Sequence, residues 1–175
     1  MQSEKKKIIM SLDLSIQSTG VAVINGDNAE VIAYDNIPIG SKEFNGDEMK
    51  KIIHIAETIL SIANGYEVTH IAIEDSYVDK KYQGTGKTLA RLFGAVYITL
   101  YINGYTLIYT YTPSQWKKIT TGVGNKSKEG THKWVCDNMV DLGEFHSRGK
   151  NKNDDIADAL GLAYCLYKKL NKENK

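Results

Sequence analysis

Apolar side chains are grouped along this chain in short runs that predict five β-strands. The runs are rich in β-branched residues and are bounded by glycine, asparagine or aspartate, as expected of strands that end in turns. They cover residues 8–15, 19–24, 30–36, 68–75 and 106–111. Asn25-Gly26-Asp27 is a hairpin signal, so the first three strands are predicted to form an antiparallel meander.

Between and after these strands, apolar residues recur at helical spacing. The predicted helices cover 47–64, 86–103, a short segment from Pro113 to Lys118, 129–140, and a last helix that opens within 153–163. Because a helix connects the meander to the strand at 68–75, that strand is predicted to lie parallel to the first strand. The pattern therefore predicts an α/β fold with a mixed five-stranded sheet, an antiparallel meander followed by parallel strands, flanked by helices.

The helix at 86–103 carries apolar residues on more than one face. Such a helix needs more than one cover, and the sheet supplies only one. A second subunit is the natural second cover, and an added helix of the same chain is the alternative. Leu89, Phe93, Val96 and Tyr97 span roughly two turns of this helix. We therefore expect a homodimer through 86–103, with these residues at its interface.

A length of 175 residues, with 42% hydrophobic and 25% charged residues, is typical of one globular domain. We predict a single domain over 1–170 and a disordered basic tail over 171–175. There is no apolar run of about twenty residues to span a membrane and no signal-peptide pattern, so we expect a cytoplasmic protein. Cys136 and Cys165 lie outside any paired motif and are predicted to be reduced, buried thiols.

The net charge of +1 conceals an uneven distribution along the chain. Residues 1–75 hold 6 basic and 12 acidic residues, whereas residues 76–175 hold 16 basic and 9 acidic residues. The basic second half can face a polyanion. The alternative is that much of this charge is solvated surface, including the lysines near the C-terminal end.

Three carboxylates stand on the opening turns of the otherwise apolar last helix, at Asp154, Asp155 and Asp158. Helix capping explains acids in the first turn, because they suit the positive end of the helix dipole. It explains Asp158 poorly, since a carboxylate one turn further inside an apolar helix needs a cation. Residues three or four apart share a helix face, so either Asp154 or Asp155 can point with Asp158 at one metal ion.

Two of the predicted strands also end in acids, the first at Asp13 and the fourth at Glu74. Because these strands are predicted to be parallel neighbours, both acids reach the same edge of the sheet as the acids of the last helix. The candidate cluster consists of Asp13, Glu74, Asp155 and Asp158.

Four such carboxylates repel one another unless divalent cations bind them, and hard oxygen ligands favour Mg²⁺ or Mn²⁺. Two such ions about 4 Å apart can stabilise the attacking and leaving oxygens of a phosphoryl displacement. With a basic half alongside, a nucleic-acid backbone is the natural substrate.

The loop at 121–128 combines Gly122 and Gly124 with Lys126 and Lys128, directly before a predicted helix. A glycine-rich turn of this kind can receive phosphate through backbone N–H groups and the helix dipole. A plain solvated loop is the equal alternative for this segment.

The order of these residues resembles the RNase H-like and retroviral-integrase superfamily, and within it the RuvC-type Holliday-junction resolvases, especially the phage-encoded members. The resemblance runs through Asp13 with Thr19-Gly20, Ile73-Glu74, residues 113–128 and the D-x-x-D-A-L motif at 155–160. It implies an RNase H-like fold and a homodimer with the second helix at the interface. It also implies an endonuclease that resolves four-way junctions by paired nicks, with two Mg²⁺ ions per site and Mn²⁺ as a substitute.

At matching positions, the resemblance implies a role for individual residues. The metal-binding catalytic carboxylates are then Asp13, Glu74, Asp155 and Asp158. The predicted DNA-binding residues are Tyr77, Lys80, Lys81, Lys117, Lys118, Lys126 and Lys128. Among these, Tyr77 falls where the family places an aromatic at the branch point, and Lys117 and Lys128 match basic positions near the active site.

Two departures from the family pattern leave alternatives open. Leu14-Ser15 stands where bacterial enzymes often have Pro-Gly, so a sequence preference at the cleavage site does not carry over. Asp154 beside Asp155 leaves Asp154 as the alternative ligand.

Other functions are compatible with parts of the pattern. A broader nuclease for forks, flaps and three-way junctions is the closest alternative. A non-catalytic branched-DNA binding protein is disfavoured because all four acids are present. The segment D-x-S-x-x-x-T-G also suits an actin-like ATPase fragment, which a chain this short, with no second nucleotide-binding half, disfavours.

Overall fold

The computed structural model describes residues 6–39, 44, 46–75, 83–148 and 152–172. The strands in these ranges are β1 (Ile8–Asp13), β2 (Ser18–Asn25), β3 (Val31–Pro38), β4 (His70–Glu74) and β5 (Ile108–Tyr111). The helices are α1 (Glu48–Gly65), α2 (Gln83–Ile102), α3 (Pro113–Thr121), α4 (Lys128–Asn138) and α5 (Asp154–Lys172). None of these helices has both the length and the apolar character that crossing a membrane requires.

The five strands form one mixed sheet in the order β3-β2-β1-β4-β5. β1 pairs antiparallel with β2, which pairs antiparallel with β3. β4 lies parallel to β1, and β5 lies parallel to β4. The predicted α/β class and mixed sheet are therefore confirmed, and β1 is the central strand.

Helices cover both faces of the sheet, so the central strand is buried on both sides. Successive side chains of a strand point to opposite faces. Met10 and Leu12 belong to the core under α1 and α2, whereas Ile9 belongs to the core under α5. Ser11 also points toward α5, where its hydroxyl donates to the carbonyl oxygen of Ala159 at 2.6 Å. This bond satisfies a buried polar group and fixes α5 on the sheet.

Local signals define the helices that carry the predicted lysines. α3 begins with a capping box between Thr112 and Gln115, with Pro113 in the first turn, and ends at Gly122 in the left-handed conformation (φ 83°). α4 begins after Ser127, whose hydroxyl accepts from the backbone N–H of Gly130. These caps place Lys117 inside α3 and Lys128 in the first turn of α4.

The structure corrects several predicted boundaries. β1 ends at Asp13, β4 begins at His70 and β5 begins at Ile108, so each is shorter than its apolar run. α5 continues to Lys172, past the predicted start of the disordered tail at 171. The side-chain amide of Asn171 donates to the carbonyl oxygen of Gly26 at 3.0 Å, which anchors the end of the helix. Composition does not reveal such an anchor, and residues 173–175 lie outside the described residues.

Helix α2 carries apolar residues on more than one face, as its sequence predicts. The residues that are exposed differ from those predicted to form the interface. Val96 is fully buried in the core, so it is not available to a partner as predicted. Leu89, Phe93 and Tyr97 are partly buried against the same core. The exposed apolar residues are Ile98, Tyr101 and Ile102, at 60%, 55% and 74% exposure.

Both cysteines are free thiols, as predicted. Cys165 lies on the buried face of α5, and burial raises the pKa of its thiol to about 12. Cys136 is only half-buried, so the prediction of a buried thiol was wrong there.

Candidate active site

The carboxyl ends of β1 and β4 bring two acids to one edge of the sheet. β1 ends at Asp13 and β4 ends at Glu74. The two strands are parallel and pair Leu12 with Ile73, so the next residue of each strand emerges at the same edge. The meeting of Asp13 and Glu74 follows from the predicted parallel pairing.

Helix α5 begins directly over this edge because β2 carries a glycine there. Gly20 pairs with Asp13 across the antiparallel strands. A Cβ atom on Gly20 would lie 2.3 Å from the carbonyl oxygen of Asp155, a separation that no side chain tolerates. Glycine therefore lets the first turn of α5 approach the sheet closely. The side chains of Asp155 and Asp158 are both only 6% exposed at this position.

The residue before α5 anchors the preceding loop. The side-chain oxygen of Asn153 accepts from the backbone N–H of His146. Its amide donates to the carbonyl oxygens of Leu142 and Glu144. The loop is thus tied to the start of α5, which holds the acids of the helix in place.

Three of the clustered acids have raised pKa values, and burial is the largest cause for each. The charges of Glu74, Asp158 and Asp155 raise the pKa of Asp13 further, so that it lies well above its ordinary value. Burial raises the pKa of Asp158 to about 6. Buried carboxylates that repel one another in this way need a cation nearby to remain ionised.

Lys128 supplies one such positive charge from the first turn of α4. Its ammonium nitrogen Nζ lies 2.8 Å from Asp154 Oδ2, 3.2 Å from Asp155 Oδ1 and 3.8 Å from Asp158 Oδ2. Burial lowers the pKa of Lys128, but the hydrogen bond to Asp154 and the charges of Asp158, Asp155 and Asp13 outweigh it and raise the pKa overall. Lys128 therefore stays charged at the centre of the acids.

Two further lysines approach the acids. Lys117 Nζ lies 4.0 Å from Asp158 Oδ1 and donates to the carbonyl oxygen of Lys126 at 3.3 Å. Lys152 Nζ donates to Asp155 Oδ2 and lies 3.7 Å from Asp154 Oδ1. Lys152 was not among the predicted site residues, because its loop was recognised only as basic.

Among the described residues, the two other predicted DNA-binding lysines, Lys118 and Lys126, form no ion pair with the acids. Lys118 follows Lys117 in sequence but is exposed. Lys126 reaches the site only through its backbone carbonyl oxygen. Three predicted residues, Tyr77, Lys80 and Lys81, lie outside the described residues.

Asp154 and Asp155 share Lys128 and Lys152 as partners, but they differ in their relation to the strand acids. The charge of Asp155 raises the pKa of both strand acids, Asp13 and Glu74. Asp154 instead makes the shortest ion pair with Lys128. Asp155 is therefore the residue of this pair that is coupled to the strand acids.

Trp116 is a site residue that the sequence pattern did not reveal. Its indole Nε1–H donates to Glu74 Oε2 at 2.8 Å, and its side chain is fully buried. A buried indole N–H needs an acceptor, so a tryptophan beside the site lysine Lys117 was the available signal.

The donor set fits hard divalent cations. It offers carboxylate oxygens, which Mg²⁺ and Mn²⁺ prefer, and the buried Oδ1 atoms of Asp154 and Asp158 have no hydrogen-bond partner among the described residues. In the described part of the chain, no group of three or more acidic, histidine or cysteine side chains is already arranged as a metal site. The ammonium groups of Lys128 and Lys152 contact the carboxylate oxygens instead, so a divalent cation bound here would have to displace them.

Residues 9–166 match the family described as crossover junction endodeoxyribonuclease RuvC. The chain belongs to this family. The RuvC of Caldicellulosiruptor saccharolyticus is 31% identical over 160 residues, which cover 90% of each chain. The RuvC of Bacteroides fragilis is 31% identical over 169 residues, covering 95% of this chain and 85% of that protein. The resemblance inferred from the acids and the D-x-x-D-A-L motif is thereby confirmed at the level of the RuvC family.

The fold is also that of solved RuvC structures. Thermus thermophilus RuvC in complex with a Holliday junction substrate superposes with a TM-score of 0.73 at 18% identity, covering 94% of this chain and 96% of that one. At this identity the likeness shows the fold alone. The predicted RNase H-like fold of RuvC type is confirmed, and the phage-encoded origin stays a prediction.

Proposed function

We propose that this RuvC-family chain is an endonuclease that resolves four-way DNA junctions by metal-dependent hydrolysis with paired nicks. One observation carries the proposal: the partly buried carboxylates of β1 and β4 meet the buried carboxylates of α5 at one sheet edge, with lysines of α3 and α4 among them. The proposed catalytic, metal-binding acids are Asp13, Glu74, Asp155 and Asp158. The proposed basic partners are Lys117 and Lys128.

The four carboxylates would hold two Mg²⁺ ions, for which Mn²⁺ would substitute. When bound, the ions activate water and stabilise negative charge on the phosphoryl oxygens. The four acids lie on three separate elements, β1, β4 and α5, which fix the directions of the carboxylates. The acids would thereby orient the bound ions. With cations on the carboxylate oxygens, the ammonium group of Lys128 would be free to contact a phosphate. Its side chain is 47% exposed, so it can reach solvent and DNA from its present position.

Within this proposal, Asp155 is the metal ligand and Asp154 is the partner that holds Lys128. The coupling of Asp155 to the strand acids and the 2.8 Å contact between Asp154 and Lys128 support this division. It retains the family assignment of the D-x-x-D motif at 155–158. Asp154, the acid that departs from the family pattern, then has the separate role of positioning Lys128.

DNA contacts would extend outward from the acids over the basic half of the chain. Lys118 and Lys126 lie on α3 and on the following loop, where they can contact backbone phosphates beyond the cleavage site. Tyr77, Lys80 and Lys81 follow Glu74 in sequence, which favours contacts near the branch point. A cytoplasmic location is part of the proposal, because the substrate is cellular or phage DNA.

A homodimer through α2 would present two active sites to one junction. Two sites related by a two-fold axis can cut two strands of a junction in a matched way. Ile98, Tyr101 and Ile102 offer exposed apolar surface on α2, and Gly94 on the same helix has open space around it. The proposed interface therefore consists of these exposed residues and not of the residues predicted from the sequence.

The test is cleavage of four DNA substrates by one preparation: a four-way junction, a three-way junction, a flap and a linear duplex. We expect paired nicks in the four-way junction with Mg²⁺, and no cleavage of it in EDTA. Equal cutting of all four substrates would refute junction resolution. Preferential cutting of flaps and three-way junctions would favour the broader nuclease, and binding without cutting in Mg²⁺ or Mn²⁺ would favour the non-catalytic binding protein.

A further inference from the structure

Gly161 of α5 makes two close contacts with α3. The indole of Trp116 lies against Gly161, where a Cβ atom would stand 2.7 Å from the ring carbon Cζ3. One turn further along α3, the hydroxyl of Thr120 donates to the carbonyl oxygen of Gly161 at 2.7 Å. Gly161 therefore provides the space for the ring and an acceptor for the helix that carries it.

From this position the indole reaches across to the end of β4. Trp116 Nε1–H donates to Glu74 Oε2 at 2.8 Å. An indole N–H is a donor only, so this contact favours the ionised carboxylate as acceptor. The ring is fully buried, so it has little freedom to follow a moving carboxylate. The hydrogen bond therefore fixes the orientation of Glu74 relative to α5.

We propose that Trp116 is a positioning residue for Glu74, and that its contact with Gly161 sets the geometry between the β4 acid and the α5 acids. This inference rests on the proposed function, since it assigns how one ligand of that site is oriented. The same helix presents Lys117 to Asp158 at 4.0 Å, so α3 positions one residue toward each of two acids. Replacing Trp116 with phenylalanine removes the N–H group but keeps an aromatic ring. The core should therefore stay filled, while Glu74 loses the hydrogen bond that orients it.

The experiment is calorimetric titration of the DNA-free protein with Mn²⁺, comparing wild type with Trp116→Phe. Replacing the hydrogen-bond partner of a metal ligand typically weakens metal binding about 10–100-fold, and we expect a loss in that range. The matched control is Trp134→Phe, which changes the half-buried tryptophan that packs on Tyr164 away from the acids. This control should bind Mn²⁺ as wild type does.

Wild-type Mn²⁺ affinity in a folded Trp116→Phe protein would overturn the inference. If wild type binds Mn²⁺ and cuts junctions while Trp116→Phe binds equally well, only the positioning role fails. If wild type neither binds Mn²⁺ nor cuts junctions, the proposed function fails as well.

A second measurement does not require Trp116 to be replaced. In the Trp134→Phe protein, Trp116 is the only remaining tryptophan, since the chain has two. Because the indole donates to a carboxylate that would bind metal, saturating Mg²⁺ should shift the emission of Trp116. An unchanged emission spectrum at a Mg²⁺ concentration that supports cleavage would contradict the proposal.

Discussion

Helices α5 and α2 cover opposite faces of the same sheet, yet they are completed in different ways. α5 packs on the sheet and is flanked by α3 and α4, so most of it from Asp154 to Leu166 is buried. α2 buries Leu92, Val96 and Leu100 on one side and leaves Ile98 and Ile102 exposed on another. The difference indicates that the candidate active site is assembled within one chain, and the exposed apolar side of α2 supports the proposed homodimer.

The strongest test of the α5 side is Asp158→Asn. The substitution removes a proposed metal ligand and its negative charge with little change of shape, so cleavage of a four-way junction should fall by at least about a hundredfold. Junction binding should persist, because repulsion from phosphate decreases. The measurement is single-turnover cleavage together with a gel-shift titration. Cleavage at the wild-type rate would mean that the acids of α5 are helix caps and not metal ligands.

The corresponding test of the α2 side is Ile98→Asp. A charge in an apolar interface should cost roughly 2 kcal/mol or more of association free energy. We expect a folded protein that sediments as a monomer and no longer makes paired nicks. Ile98 is preferable to Phe93, because Phe93 packs against the core and its replacement by a charge can unfold the chain.

The matched control for this substitution is Ile32→Asp. Ile32 lies on β3, away from α2, and is also exposed, at 40%. This variant should leave the sedimentation unchanged. A wild-type chain that sediments as a monomer, both alone and on a four-way junction, would contradict the dimer and favour the broader branched-DNA nuclease.

A smaller effect concerns stability without metal. Burial raises the pKa of Asp158 from 3.8 to about 6 in the folded chain. The unfolded chain then releases this proton at lower pH than the folded chain, so stability falls as pH rises from the unfolded pKa through the folded pKa. In EDTA at pH 7.5, Asp158→Asn should therefore be the more stable protein, by about 1–3 kcal/mol.

Differential scanning calorimetry measures this stability difference. The gain should appear as a Tm increase of roughly 2–10 °C at pH 7.5 and should disappear at pH 4. Asp137→Asn on α4 is the control, because Asp137 is exposed and, among the described residues, forms an ion pair only with the exposed Lys133. A wild-type Tm equal to that of Asp158→Asn at pH 7.5 would contradict the electrostatic description.

The smallest effect is expected for Asp154→Asn. Asparagine keeps a side-chain oxygen that can accept from Lys128, so junction cleavage should fall by less than about tenfold. Asp154→Ala lacks this acceptor and should cost more. Parallel kcat measurements compare both variants with Asp158→Asn. A loss for Asp154→Asn as large as that for Asp158→Asn would make Asp154 the ligand in place of Asp155.

The sequence pattern identified the site residues whose chemistry conflicts with that of their neighbours in the chain. Asp13 and Glu74 end apolar strands, and Asp158 interrupts an apolar helix, so each one signals a site without any coordinates. Trp116 and Lys152 do not conflict with their local surroundings in this way. A tryptophan in an amphipathic helix and a lysine in a basic loop are ordinary, and their roles depend on which acid lies opposite.

Periodicity and strand pairing rules were therefore enough to establish the sheet, its mixed topology and the edge at which the acids meet. They act over short distances, through side-chain alternation and the handedness of connections. Packing established the rest: Gly20 admits α5 to the sheet edge, Gly161 admits Trp116 to Glu74, and Val96 turns inward while Ile98 stays exposed. Close approach between distant segments depends on atoms that are neighbours only after folding, so no local pattern records it.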